Sequence, residues 1–170
     1  MPRVVLYQPQ IPPNTGNVAR TCAATATELH LIEPLGFLID DRQLRRAGLD
    51  YWPLVPLTVH PDLQAFLAHH RGQGGRLIAL SSHVDQTYDS FRFRPDDWLL
   101  FGRETDGLPP DLQQQAYARL TIPHARPARN RIPGVRSLNL SVAVGVVLFE
   151  AIRQLNSGTV PNGPPSSSGC

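Results

Sequence analysis

The 170-residue chain predicts an α/β fold, a parallel sheet with helices on both faces. Three observations support this. Short unbroken apolar runs recur along the sequence (Val4-Val5-Leu6-Tyr7, Leu29-His30-Leu31-Ile32, Leu77-Ile78-Ala79-Leu80, Trp98-Leu99-Leu100-Phe101). Runs of this kind are strands covered on both sides. Stretches with helical patterning lie between them, and such alternation builds a parallel sheet. The length suits one compact domain, and 41% apolar with 18% charged residues is the balance of a globular protein.

The elements follow in order. Residues 4–7 form the first strand, and residues 14–25 a helix with Asn14 or Thr15 as its cap. Residues 29–32 are the second strand, 41–49 a short helix ending near Gly48, and 54–59 an extended run broken by Pro56. A helix over 61–70 has proline at its first position. Strands at 77–80 and 98–101 precede a helix at 109–118, a last strand at 120–122 and a closing helix at 137–155. The apolar run at 142–149 is too short to cross a bilayer and is expected to be buried. Residues 1–156 read as one domain, and the Ser/Pro/Gly-rich residues 157–170 as a disordered tail. The N-terminus enters a strand at once, with no signal-peptide core, so a cytoplasmic location is expected.

Composition excludes several chemistries. Cys22 falls in a helix and Cys170 ends the tail, so neither a structural disulfide nor a zinc site is expected. The six histidines include the adjacent pair His69-His70 but no HExxH spacing, so no metal is expected. All sixteen basic residues are arginine, which rules out lysine-dependent phosphate loops and Schiff-base chemistry. Arg119, Arg126, Arg129, Arg131 and Arg136 fall in a stretch without acids, and Arg42, Arg45 and Arg46 form a second cluster. The planar guanidinium fork suits phosphate, so these clusters suit either a polyanionic partner or a solvated surface.

Three loops follow strands, and the carboxyl edge of an α/β sheet is where ligands bind. The first is Pro9-Gln10-Ile11-Pro12-Pro13-Asn14-Thr15-Gly16-Asn17-Val18-Ala19-Arg20, in which Asn14 is either a plain cap or part of a site. The second, Phe101-Gly102-Arg103-Glu104-Thr105-Asp106-Gly107-Leu108-Pro109, brackets the Glu104 carboxylate with glycines, either for a ligand or for its own internal bonding. The third runs from Ile122-Pro123 through a long Pro- and Arg-rich loop to Arg136-Ser137-Leu138-Asn139-Leu140-Ser141. Loops of that length in a compact domain are usually functional or mobile.

In order and wording the three loops resemble the motifs of the SPOUT superfamily of knotted RNA methyltransferases, over residues 3–155. Glu33-Pro34-Leu35-Gly36-Phe37 and residues 41–51 are similar to its small single-domain subgroup. The resemblance implies a C-terminal trefoil knot and S-adenosylmethionine as cofactor. The cofactor would be gripped largely by the main chain at Leu80, Gly102, Ile122 and Ser137, with Leu138 nearby. It implies methylation of the ribose 2′-OH of the wobble nucleotide (position 34, C or U) in the anticodon stem-loop of tRNA, leucine tRNAs foremost. The alternatives are another tRNA or rRNA site, or a non-catalytic RNA-binding module. Arg20, Asn14, Glu104, Ser137 and Asn139 would surround the reaction, with Arg20 on the ribose or an adjacent phosphate. Asn14 and Asn139 would orient Arg20 and the knot loop, and Arg42, Arg45, Arg46 and Arg136 would face RNA. A homodimer would form on the last helix, where Ala143 and Gly145 permit close approach. In-line transfer to a ribose hydroxyl needs alignment and proton removal more than an oxyanion hole. A guanidinium is a poor base, so the proton acceptor stays open.

Overall fold

The computed structural model describes residues 1–38, 54–123 and 137–157. The order is β1 (Arg3–Tyr7), α1 (Pro12–Ala24), β2 (Leu29–Ile32), β3 (Leu57–His60), α2 (Leu63–Gln73), β4 (Leu77–Leu80), β5 (Trp98–Phe101), α3 (Pro110–Gln115), β6 (Ala118–Leu120) and α4 (Leu140–Ser157). The expected 41–49 helix, the 124–135 loop and the tail beyond Ser157 lie outside the described residues.

The six strands form one parallel sheet in the order β3-β2-β1-β5-β4-β6. Strand alternation sends successive side chains to opposite faces. Val4 and Leu6 join Val18, Ala19 and Cys22 of α1 and Val144, Val147, Leu148 and Ala151 of α4. Val5 and Tyr7 join Phe66 and Leu67 of α2, Leu108 just before α3 and Leu112 within it. The four main strands fall where the apolar runs place them. Burial pushes the Cys22 thiol up to about 12, so it is an inert core residue and no nucleophile.

The helix ends differ from expectation, and a cap or a proline explains the starts of α1, α2 and α4. α1 begins at Pro12 with Ile11 as its cap, because prolines in a first turn lose no hydrogen bond. Asn14 is therefore inside the helix, and its side chain is available elsewhere. Asp62 caps α2 by accepting from the Ala65 N–H at 2.7 Å, which leaves Pro61 outside the helix. β6 lies two residues earlier than expected, since α3 stops at Gln115. α4 starts at Leu140 rather than Ser137. Asn139 Oδ1 accepts from the Ser141 N–H at 2.9 Å, and its carbonyl accepts from the Ala143 N–H.

The closing helix is buried on one side only. Leu140, Val144, Val147, Leu148 and Ala151 are covered, whereas Val142 is 50% and Phe149 55% exposed. By length and composition α4 could cross a membrane, but its covered stripe belongs to the core. Gln154 fixes its far end, accepting from the Phe93 N–H and donating to the Phe91 carbonyl.

A histidine cluster is packed under α2. His30 Nδ1 lies 3.1 Å from His60 Nε2, with both rings buried, and His69 and Trp98 pack against His30. Burial, then the His60 charge, pushes His30 down to about 4, against the opposing pull of Glu28. His60 and His70 are also lowered by burial. A histidine with a depressed native pKa takes up protons preferentially when unfolded, so stability falls as pH drops below 6.5 toward 4. The urea midpoint at pH 5 should therefore sit below that at pH 7, the clustered histidines acting together. A flat profile would contradict the buried neutral cluster.

Candidate functional site

The strand order reverses direction about β1 and β5, and at such a crevice the carboxyl ends of strands open to a ligand. A cavity of about 550 Å³ lies there, within the ~300–1,000 Å³ range of small-molecule sites. Its wall is formed by Leu80 to His83 after β4, Phe101 to Leu108 after β5, Leu120 to Ile122 at β6, and Ser137 to Leu140 leading into α4. Ile11 and Asn14 close it from the β1–α1 side.

One hydrogen-bonded chain joins the three motif loops. Glu104 Oε2 accepts from the Gln10 N–H at 2.9 Å, and Oε1 accepts from the Ile11 N–H and the Asn14 side-chain amide, each at 3.1 Å. Asn14 Oδ1 in turn accepts from Asn139 Nδ2 at 2.9 Å. Asn139 Oδ1 completes the chain on Ser141, accepting from its N–H at 2.9 Å and its hydroxyl at 2.7 Å. Residues up to 125 apart in sequence are thus held in one network. The carboxylate also sits beside the N-terminus of α1, where negative charge is favoured.

The β5–α3 loop is braced internally as well. Arg103 and Gly107 exchange main-chain hydrogen bonds, and Gly107 takes a positive φ of 75°. The Arg103 guanidinium grips Asp106 through two donors and reaches Gln8 Oε1 at 3.0 Å. Asp106 holds Arg103 above the ordinary guanidinium range, and Arg103 holds Asp106 below the usual carboxylate range. Gly102 lies so close to the loop's return that an added Cβ would stand 2.2 Å from the Gly107 carbonyl carbon and 2.4 Å from the Leu108 nitrogen. Both atoms are backbone and cannot swing aside. Gly102→Ala should therefore cost about 1–3 kcal/mol, read as a lowered unfolding midpoint. An unchanged midpoint would show that the loop tolerates the clash.

All five residues expected at the cofactor line this cavity, namely Leu80, Gly102, Ile122, Ser137 and Leu138. Of those expected around the reaction, Asn14, Glu104, Ser137 and Asn139 also line it. Arg20 does not; it is exposed on α1, nearly two turns beyond Asn14. Arg42, Arg45, Arg46 and Arg136 lie outside the described residues. Ser81, Ser82 and His83 line the cavity without having been singled out, although their place directly after β4 marks a strand end. The Arg103–Asp106 brace was also missed, because nothing in the spacing distinguishes it from a solvated pair.

Comparison with known proteins decides the family. The SpoU rRNA Methylase family profile matches residues 1–149. The chain belongs to the SpoU methylase family. A SpoU relative from Polaromonas sp., named tRNA (cytidine(34)-2'-O)-methyltransferase, is 48% identical over 153 residues, covering 89% of each chain. A solved structure described as giving insights into the 2-OH methylation of C/U34 on tRNA matches with a TM-score of 0.84 and 49% identity. That match covers 92% of this chain and 97% of the other. An AdoMet-bound rRNA methyltransferase from Sinorhizobium meliloti matches with a TM-score of 0.79 and 27% identity, over 91% of this chain and 56% of the longer one. The six-stranded parallel sheet is the SpoU sheet of these structures.

Proposed function

We propose that this SpoU protein transfers a methyl group from S-adenosylmethionine to the ribose 2′-OH of nucleotide 34, C or U, in the anticodon loop of tRNA. The observation that carries this reading is the cavity in which Glu104, Asn14 and Asn139 tie all three motif loops together. The names of the SpoU relatives supply the substrate, and their near-complete overlap with this chain favours tRNA over the rRNA of the longer relative. Leucine isoacceptors and a cytoplasmic site of action belong to the same reading, carried by the family resemblance.

The cavity fits the cofactor. It is walled by Leu80, Phe101, Leu120, Ile122 and Leu138, while Gly102 keeps main chain close to its interior. Main-chain groups at Leu80, Gly102, Ile122 and Ser137 would hold S-adenosylmethionine, with Leu138 against it. When bound, the cofactor supplies a methyl carbon already activated by a sulfonium. What remains for the protein is alignment of the ribose oxygen and removal of its proton. Glu104 is committed to three donors, so its role is to fix the loops. Asn14 and Asn139 fix the entry to α4. Arg20 holds the ribose or an adjacent phosphate.

A homodimer completes the proposal. Val142 and Phe149 present an apolar face on α4, and a Cβ added at Gly145 would meet nothing within 4 Å, leaving room for a second helix. Arg20 sits on α1, which packs beside α4, so pairing through this layer places it near the joined surface. The C-terminal trefoil knot belongs to the same reading, carried by the family resemblance. Residues 1–156 act as one domain.

Calorimetric titration with S-adenosylmethionine, followed by methyl transfer to unmodified tRNA, tests the reading. Saturable one-to-one binding per chain and label incorporation are expected. Absence of cofactor affinity would leave an RNA-binding module instead.

A further inference from the structure

A second groove, of about 580 Å³, runs along β6 and meets the cofactor cavity at His83, which lines both. β6 is an edge strand, and just beyond its end Thr121 pairs with Gln86 and Tyr88 on the outer side. Asp85, Gln86, Gln114, Tyr117 and Arg119 give this groove its chemistry. Tyr117 is 65% exposed, which is unusual for so large a ring. Tyr117, just before β6, and Arg119, within it, both line this groove.

The ring is held in place from behind. The Arg76 guanidinium lies 4.9 Å from the Tyr117 centroid and 4.9 Å from that of Phe91. Arg76 is itself fixed by Asp97, whose side chain is fully buried, through two hydrogen bonds of 2.8 Å. A third bond of 3.0 Å runs to the Arg92 carbonyl. Asp97 raises Arg76 above the ordinary guanidinium range, so the charge under the ring is permanent. The Tyr117 main chain is pinned to Leu77 by a 2.8 Å hydrogen bond. One face of the aromatic ring is thus supported by a cation, and most of the remaining surface is open to solvent.

We propose that this groove binds the single-stranded RNA that flanks the methylated nucleotide, with a base stacked on Tyr117 and a phosphate on Arg119. A rigid exposed aromatic next to an arginine is the arrangement by which proteins grip single strands. The amide and carboxylate groups of Gln86, Gln114 and Asp85 offer donors and acceptors to base edges. Contact with the cofactor cavity at His83 puts such a strand within reach of the reaction. The proposal rests on the RNA methyltransferase reading above, and adds a second point of substrate grip on the same chain.

Kinetics with a synthetic anticodon stem-loop RNA test it. Tyr117→Ala should raise KM for the RNA about tenfold, with S-adenosylmethionine affinity unchanged. Tyr117→Phe, which keeps the ring, should stay within about twofold of the parent. Arg119→Gln should reduce the slope of log affinity against log salt by about 0.7, the loss of one single-strand phosphate contact. Folding of each variant is checked by its melting curve. Variants that melt and bind RNA like the parent, while the parent methylates, would overturn the groove assignment alone. Equal losses in Tyr117→Phe and Tyr117→Ala would overturn stacking. A parent that neither binds nor methylates the RNA would overturn the functional reading, and this proposal with it.

Discussion

Arg20→Ala should leave S-adenosylmethionine affinity within about twofold while methyl transfer falls by at least about 100-fold. The separation follows from position. Arg20 is exposed on α1 and does not line the cavity proposed for the cofactor, so its loss should leave the wall of that cavity intact. What disappears is a planar double donor suited to a ribose oxygen or a phosphate. Isothermal titration with the cofactor and single-turnover methylation of tRNA read the two quantities separately. Retained turnover would remove Arg20 from the reaction, and a parallel loss of cofactor affinity would show that it acts through the fold.

Glu104→Gln should weaken both the fold and the cofactor site, although the side chain keeps its size. Both carboxylate oxygens accept hydrogen bonds, one from Gln10 and the other from Ile11 and Asn14. An amide accepts on one side and donates on the other, so at least one main-chain N–H would face another donor. Leaving such a group unsatisfied costs about 1–3 kcal/mol, and the released β1–α1 loop should lower cofactor affinity at least about tenfold. Denaturant midpoints and cofactor titration measure these losses. Wild-type values in both would show that the network does not organise the site.

The strands were legible because a parallel strand buried on both faces is nearly all apolar, and 29–32, 77–80 and 98–101 read correctly to the residue. Helix ends were less legible, since they depend on partners distant in sequence. Asn14 has the chemistry of a cap, yet Pro12 and Pro13 start the helix and Glu104 takes the Asn14 amide. Asn139 is a true cap, and it moves the start of α4 past Ser137. The cavity-lining positions were found through strand ends and motif resemblance together. The Arg76–Tyr117 stack was invisible, because it joins residues before β4 and β6 that no local pattern relates. The apolar helix is expected to be buried, partly against a second copy; in the single chain Val142 and Phe149 lie on an open face.

The most direct test is to incubate purified protein with S-adenosylmethionine and unmodified tRNA, then map ribose methylation nucleotide by nucleotide. The expected result is a single new 2′-O-methyl group at position 34. Methylation at another nucleotide, on a base, or of rRNA alone would contradict it.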